Sequence, residues 1–244
     1  MVSSRKFKKP STKSKFNNKI VTPRRNTVNT HSFLSIDAAY LNSHPIVELG
    51  EKIAEGNFGD VFFVHNNQRL IIKVPEGVSG VQYSKYNSQQ RRNMITRSVI
   101  DLEREAKMYQ KCISKGISIV IPTQIVGINC GICDNVIGLA RPYVTPVYDY
   151  AMPIKPSNLR RLTDSRVIEI KDKLLELSYN RCGITDGLQI GLDLVGRPFL
   201  YDLGFLAWYD NDAFAAYRVN NHAWKDFLKA TGKDIKKLGQ IKRE

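Results

Sequence analysis

Cysteine is scarce in this chain of 244 residues, with only Cys112, Cys130, Cys133 and Cys182. So few and so scattered, they exclude a disulfide framework, and reduced thiols in an intracellular compartment are expected. Cys130-Gly-Ile-Cys133 has the spacing of half a zinc site. No second CxxC or HxxxH completes it, and the histidines (His31, His44, His65, His222) are dispersed, so the expectation is a turn that holds two thiols. No apolar run approaches the roughly 18–20 residues that a membrane-spanning helix needs. The apolar core of a secretory signal is missing too. So is GxxxxGK[ST], which disfavours a P-loop NTPase. Acidic residues are absent from positions 1–36, where nine Lys and Arg between Arg5 and Arg25 stand unopposed. The whole chain holds 37 basic and 23 acidic residues, or +14, so the remainder carries 28 against 23, or +5. That balance is ordinary for a soluble domain, and the folded part shows no basic cluster with aromatic interleaving of the kind nucleic acid attracts.

Hydrophobic residues, at 42%, are sufficient for a core. Residues 1–40 are rich in Ser, Thr, Asn and Lys and read as a disordered leader. A secretion or targeting segment, an anionic-surface binder, a docking arm and a merely solvated tail all fit it. Residues 41–244 read as one domain. Residues 47–53, 60–64 and 69–74 are strand-like, the last two joined by a turn at His65-Asn-Asn-Gln68. Residues 77–92 read as a long loop or an added helix. From Asn93 the period changes, and Ile95, Val99, Leu102, Ala106, Tyr109 and Ile113 share one helix face up to Gly116. Strands are expected again over 117–121 and 136–140. Val167, Ile170, Leu174 and Leu177 predict a helix capped by Thr163 or Asp164. Short strands follow over 189–194 and 197–201. A last helix is expected over 221–230, with Ala223, Trp224, Phe227 and Leu228 inward and Gly232 after it. A strand-rich half followed by a helix-rich half is an α+β, two-lobe order.

Chemistry-bearing residues punctuate this order. Gly56-Asn-Phe-Gly59-Asp-Val61 lies between two predicted strands, where glycines let backbone N–H groups approach phosphate oxygens and Val61 can cover an adenine. Ala54 stands where a longer GxGxxGxV pattern has its first glycine. Lys73 shares a strand face with Ile71; if that face is covered, its ammonium needs an anionic partner. Glu103 and Glu105 are both available, and Glu105 is favoured by its place beside the Ala106/Tyr109 stripe. Asp202 ends an apolar strand in Asp202-Leu-Gly204, placed to hold Mg²⁺ or to make an Asx turn. Asp186 can orient a substrate hydroxyl or simply turn the chain with Gly187. Gln189 can supply an amide oxygen to a metal, and Asp193 reads as a surface turn residue before Gly196.

Taken together, this order resembles the protein-kinase fold over roughly residues 45–210: two lobes, strand-rich first, with a truncated helical second lobe. The resemblance implies that Lys73 contacts the ATP phosphates and pairs with Glu105. Ala54, Gly56, Gly59 and Val61 would cover the nucleotide, and 139–144, with Tyr143, would form the hinge. Asp186 matches the catalytic-loop Asp, and Asp202, helped by Gln189, the Mg²⁺-binding Asp of the DFG-type motif. Departures accompany it. Ile184-Thr185-Asp186 replaces His-Arg-Asp, Gly191 stands where Asn is expected, and no Ala-Pro-Glu follows in the 42 residues after Asp202. So short a kinase domain is similar to the minimal kinases that bacterial pathogens inject by type III secretion. Among these it resembles the small effector family that phosphorylates and inactivates the eukaryotic ninety-kilodalton heat-shock chaperone. The resemblance implies a monomeric, Mg²⁺- and ATP-dependent serine/threonine-protein kinase, a virulence factor acting on a protein substrate in the host cytoplasm. Three rival classes stay open: a nucleotide-binding pseudokinase scaffold, a small-molecule phosphotransferase of kinase-like fold, and nucleic-acid binding by the basic leader.

Overall fold

Leu70, Ile71 and Ile72 lie at the centre of the molecule's main sheet, as their β-branched and aliphatic side chains favour. That sheet holds β1 (Ile46–Val47), β2 (Leu49–Gly56), β3 (Gly59–Val64), β4 (Asn67–Val74), β5 (Gln124–Ile128) and β6 (Val136–Pro142), in the order β1-β5-β6-β4-β3-β2. Only the β1–β5 pair is parallel. Register shifts in β2 near Lys52 curl this edge, as bulges do. The β3–β4 turn is tighter than expected, because β4 starts at Asn67 and Asn66 takes the left-handed region (φ 59°) that Asn tolerates. The computed structural model describes residues 46–56, 59–78, 85–128, 136–212 and 214–241. The expected leader over 1–40, its boundary at 40, Asn57, Phe58, Cys130 and Cys133 lie outside the described residues.

Helix α1 (Ser88–Ser114) starts five residues before the expected Asn93. The reason is local: Asn87 and Gln90 form a capping box, each side chain accepting from the other's backbone N–H at 2.9 Å. Its buried stripe is Ile95, Ser98, Leu102, Glu105, Ala106, Tyr109 and Cys112, so an acid falls inside an apolar row. At 27 residues the helix is roughly 40 Å long.

Beyond the main sheet, β7 (Thr145–Asp149), β9 (Gln189–Leu192) and β10 (Pro198–Leu200) form a three-stranded sheet, and β8 (Cys182–Ile184) pairs with β11 (Leu206–Trp208). Four helices accompany these among the described residues: α2 (Pro156–Leu159), α3 (Asp164–Tyr179), α4 (Ala215–Ala230) and α5 (Ile235–Leu238). Thr163 caps α3, and Val167, Ile170, Leu174 and Leu177 are buried as their spacing predicts. α4 begins six residues earlier than expected, where the Asp212 carboxylate accepts the N–H groups of Phe214 and Ala215. Residues 117–121 are a correction. Ile117, Ile119, Val120 and Ile121 are all buried, without strand-like alternation, and the segment makes only a single bridge, from Val120 to Leu200. β5 and β7 lie where no strand was expected.

The cores explain how α1 is used. Phe62, Leu70, Ile72, Val126 and Ile95 form one cluster on the main sheet; Ile170, Leu174, Trp224 and Phe227 belong to a larger one among α3 and α4. Tyr109 and Cys112 of α1 belong to the larger cluster, while Leu102 and Ala106 meet Leu139 between the two. The same end of α1 docks on β11, with Trp208 Nε1 donating to Met108 Sδ at 3.1 Å and the Lys111 ammonium 4.1 Å above the Trp208 ring. Asn220 on α4 is fully buried and ties its neighbours, accepting from Ile184 N and donating to Ser178 Oγ and Cys182 O, each at 2.9 Å. The architecture is mixed α+β. Among the described residues no helix is long and apolar enough to cross a membrane.

Candidate functional site

Cross-strand register sets the first half of the site. Ala54, Val61, Lys73, Leu139 and Ile125 pair in one row across β2, β3, β4, β6 and β5, so their side chains share a sheet face. Phe63, Ile71 and Arg141 form a second row two residues along, on the same face. That face is covered at Lys73, which is only 7% exposed. An ammonium there needs anions, and it has them. Lys73 Nζ donates to Glu105 Oε2 at 2.9 Å and to Asp202 Oδ2 at 3.4 Å. Glu105, from the buried stripe of α1, is 2% exposed, whereas Glu103 is only partly buried. Burial pushes the Lys73 pKa down, but the charges of Glu105 and Asp202 overcome both that and the opposing Arg141, holding it above the ordinary 10.5.

Two groups absent from the sequence reading complete the cluster. Arg141, 5% exposed, donates from Nη1 to Glu105 Oε1 at 3.1 Å and to the Tyr201 carbonyl. The Leu203 N–H reaches the same Glu105 oxygen at 3.3 Å. Two cations and two carboxylates thus meet between the sheet, α1 and the segment after β10. In a buried ion cluster, removal of one member costs about 3–5 kcal/mol, because its partner is left uncompensated. The Asp202 carboxylate turns its other oxygen to the Gly204 N–H at 3.0 Å, which is the Asx turn foreseen for it. Turn and ion pair coexist.

Next to Asp202 lies a second network. Asp149, buried at the end of β7, accepts the Tyr201 hydroxyl at 2.7 Å, the Ala151 N–H at 2.8 Å and Gln189 Nε2 at 3.3 Å. Burial, then this hydrogen bond, push the Tyr201 phenol's pKa well up. With its nitrogen held on Asp149, Gln189 keeps a buried Oε1 that has no hydrogen-bond partner among the described residues. No group of three or more His, Cys, Asp or Glu that could hold a metal occurs among the described residues. The Asp202 carboxylate and the Gln189 amide oxygen are nevertheless hard oxygen donors, the type Mg²⁺ takes alongside phosphate and water.

Asp186 stands outside these networks, exposed in the turn between β8 and β9. Tyr150 connects it to them. The Tyr150 ring lies over Gly187, where a Cβ would fall 2.1 Å from it, and meets Phe205 edge-on at 5.8 Å. Burial, then the charges of Asp186, Asp149 and Asp202, raise the pKa of its phenol. Gly191 is closed to any side chain, since a Cβ there would sit 2.3 Å from Val144 Cγ2.

One expectation changes, at Asp193, and Tyr143 and Gly59 show constraints of their own. The Tyr143 N–H donates to Arg69 O at 2.7 Å and its ring packs on Phe63, so this amide is engaged within the protein. Asp193 is buried rather than a surface residue; its carboxylate accepts from the backbone of Val195 and Arg197 and pairs with Arg197 Nε at 2.7 Å. Gly59 (φ 133°) has a steric reason of its own, because a Cβ would lie 2.0 Å from the Val74 carbonyl oxygen. Of the residues missed, Arg141 left a signal, a lone cation closing the apolar run Val136-Ile-Gly-Leu-Ala140; Asp149 and Tyr150 left none, because β7 itself was not expected. No family model matches the chain, and no curated protein matches it.

Proposed function

We propose that the chain is a minimal, two-lobed protein-kinase-like enzyme that transfers the γ-phosphoryl group of ATP to a protein Ser or Thr hydroxyl with Mg²⁺. The observation that carries this reading is the buried Lys73 held between Glu105 of α1 and Asp202 after β10. Three elements remote in sequence have no packing need for a shared ionic centre, whereas phosphoryl transfer needs an ammonium and a metal-binding acid side by side. Lys73 would meet the phosphate oxygens, and Asp202 with Gln189 Oε1 would hold Mg²⁺, which neutralises developing charge on the transferring group. Ala54 and Val61, on the Lys73 face, would lie against the base. Asp186 would accept the substrate hydroxyl's hydrogen bond and orient its oxygen. Catalysis here is positioning and electrostatics.

The resemblance to injected effector kinases extends the proposal to a host protein substrate, such as a heat-shock chaperone. Purified protein with radiolabelled ATP and host lysate is expected to label a discrete substrate, and Asp202→Ala to abolish labelling. Equal labelling by the variant would refute the assignment. With no Ala-Pro-Glu motif after Asp202, phosphatase-treated protein should be fully active. The pseudokinase reading is favoured by one observation, the exposed Asp186 standing outside the network; stabilisation by Mg·ATP with no transfer would establish it.

A further inference from the structure

Arg141 is a buried cation to which nothing in the proposed reaction assigns a task. It sits on β6, with β4 on one side and β5 on the other, so its backbone belongs to the interior of the main sheet. One nitrogen, Nη1, reaches both the Glu105 carboxylate of α1 and the carbonyl of Tyr201, the residue before Asp202. Glu105 is consequently held on both oxygens, Oε2 by Lys73 and Oε1 by Arg141 and the Leu203 N–H. Meanwhile Arg141 Nε is buried with no hydrogen-bond partner among the described residues, a cost that a buried apolar side chain of similar size would not incur.

We propose that Arg141 is a positioning residue: a fixed clamp that locks Glu105 and the backbone flanking Asp202 onto the sheet, so that the Lys73–Glu105–Asp202 centre is assembled before nucleotide or any activating modification arrives. This rests on the kinase reading and supplies its regulation. A carboxylate that pairs with lysine alone can swing away with its helix. Glu105 cannot swing without stripping Arg141 and Leu203 together. The clamp touches no nucleotide, so its loss should act on the geometry of transfer rather than on ATP affinity. A displacement of the order of 1 Å at such a centre costs about a hundredfold in rate.

The experiment compares wild type, Arg141→Gln and Arg141→Lys for kcat, KM for ATP, and hydrogen exchange of a peptide covering residues 200–206. The expected result is a kcat at least 30-fold lower in Arg141→Gln, with KM for ATP changed less than threefold. Exchange at Leu203 should be at least tenfold faster. Arg141→Lys, which keeps the charge but not the fork, should recover part of both. A kcat within threefold of wild type in Arg141→Gln overturns the clamp, and so does a loss confined to KM. Should Arg141→Gln fail to fold, Arg141→Lys decides by the same two measures. If wild type transfers no phosphoryl group, the kinase reading falls, and the exchange comparison alone then judges the clamp.

Discussion

Lys73 shows how one residue can be read from sequence and its surroundings cannot. A lysine after Leu-Ile-Ile was legible as an amine that would need an acid if its strand face were covered, Glu105 as one of two acids beside a helical stripe, and Asp202 as an acid ending an apolar strand. Arg141 was legible only as a lone cation closing an apolar run, since its bond to the Tyr201 carbonyl leaves no pattern in sequence, and Asp149 was not legible at all, because it ends a strand that no alternation announced. The raised pKa of Lys73 has a consequence for alkaline stability. Its charge is favoured in the folded state, so the stabilisation is fully present below pH 10.5 and is lost as pH rises through the higher folded value. Urea midpoints measured from pH 9 to 11.5 should therefore fall more steeply for wild type than for Lys73→Met. Asp149→Ala, which leaves the Tyr201 hydroxyl, the Gln189 amide and the Ala151 N–H without their acceptor, should lower stability by about 3 kcal/mol in denaturant unfolding.

At the scale of elements, periodicity found the long helices and failed at short strands. α3 and α4 repeat apolar residues every three or four positions, a pattern a sheet cannot imitate. β7 contains Pro146, and β6 ends in Arg141-Pro142, so neither alternates cleanly to its end. Residues 117–121 look like a strand because the interior that buries them is large, not because they pair. Packing also decides what β9 can carry. Gly191→Asn restores the residue type a kinase loop usually has at this spacing, yet its Cβ would meet Val144. It is expected to destabilise by about 1–3 kcal/mol and to lower activity, not raise it. Asn220→Ala removes one acceptor and two donors that join α3, β8 and α4. A loss of about 2–4 kcal/mol is expected from urea titration.

For the whole molecule, the sheet cluster and the helical cluster are separate apolar interiors joined along α1 and at the ionic centre between them. A ligand that bridges phosphate, metal and both sides of that centre should stabilise the folded chain as a unit. At a hundredfold excess over its Kd, Mg·ATP is expected to add about 2.7 kcal/mol, or roughly 5–10 °C in melting temperature for a domain of this size. Asp202→Ala should abolish the shift. The chain also carries its own means of watching this happen. Of its two tryptophans, Trp224 is sealed in the helical core against Phe227, while Trp208 lies under Lys111 and bonds Met108 on the helix that bears Glu105. Emission from Trp208 is thus an intrinsic optical gauge of that helix's seating, readable in solution without a label.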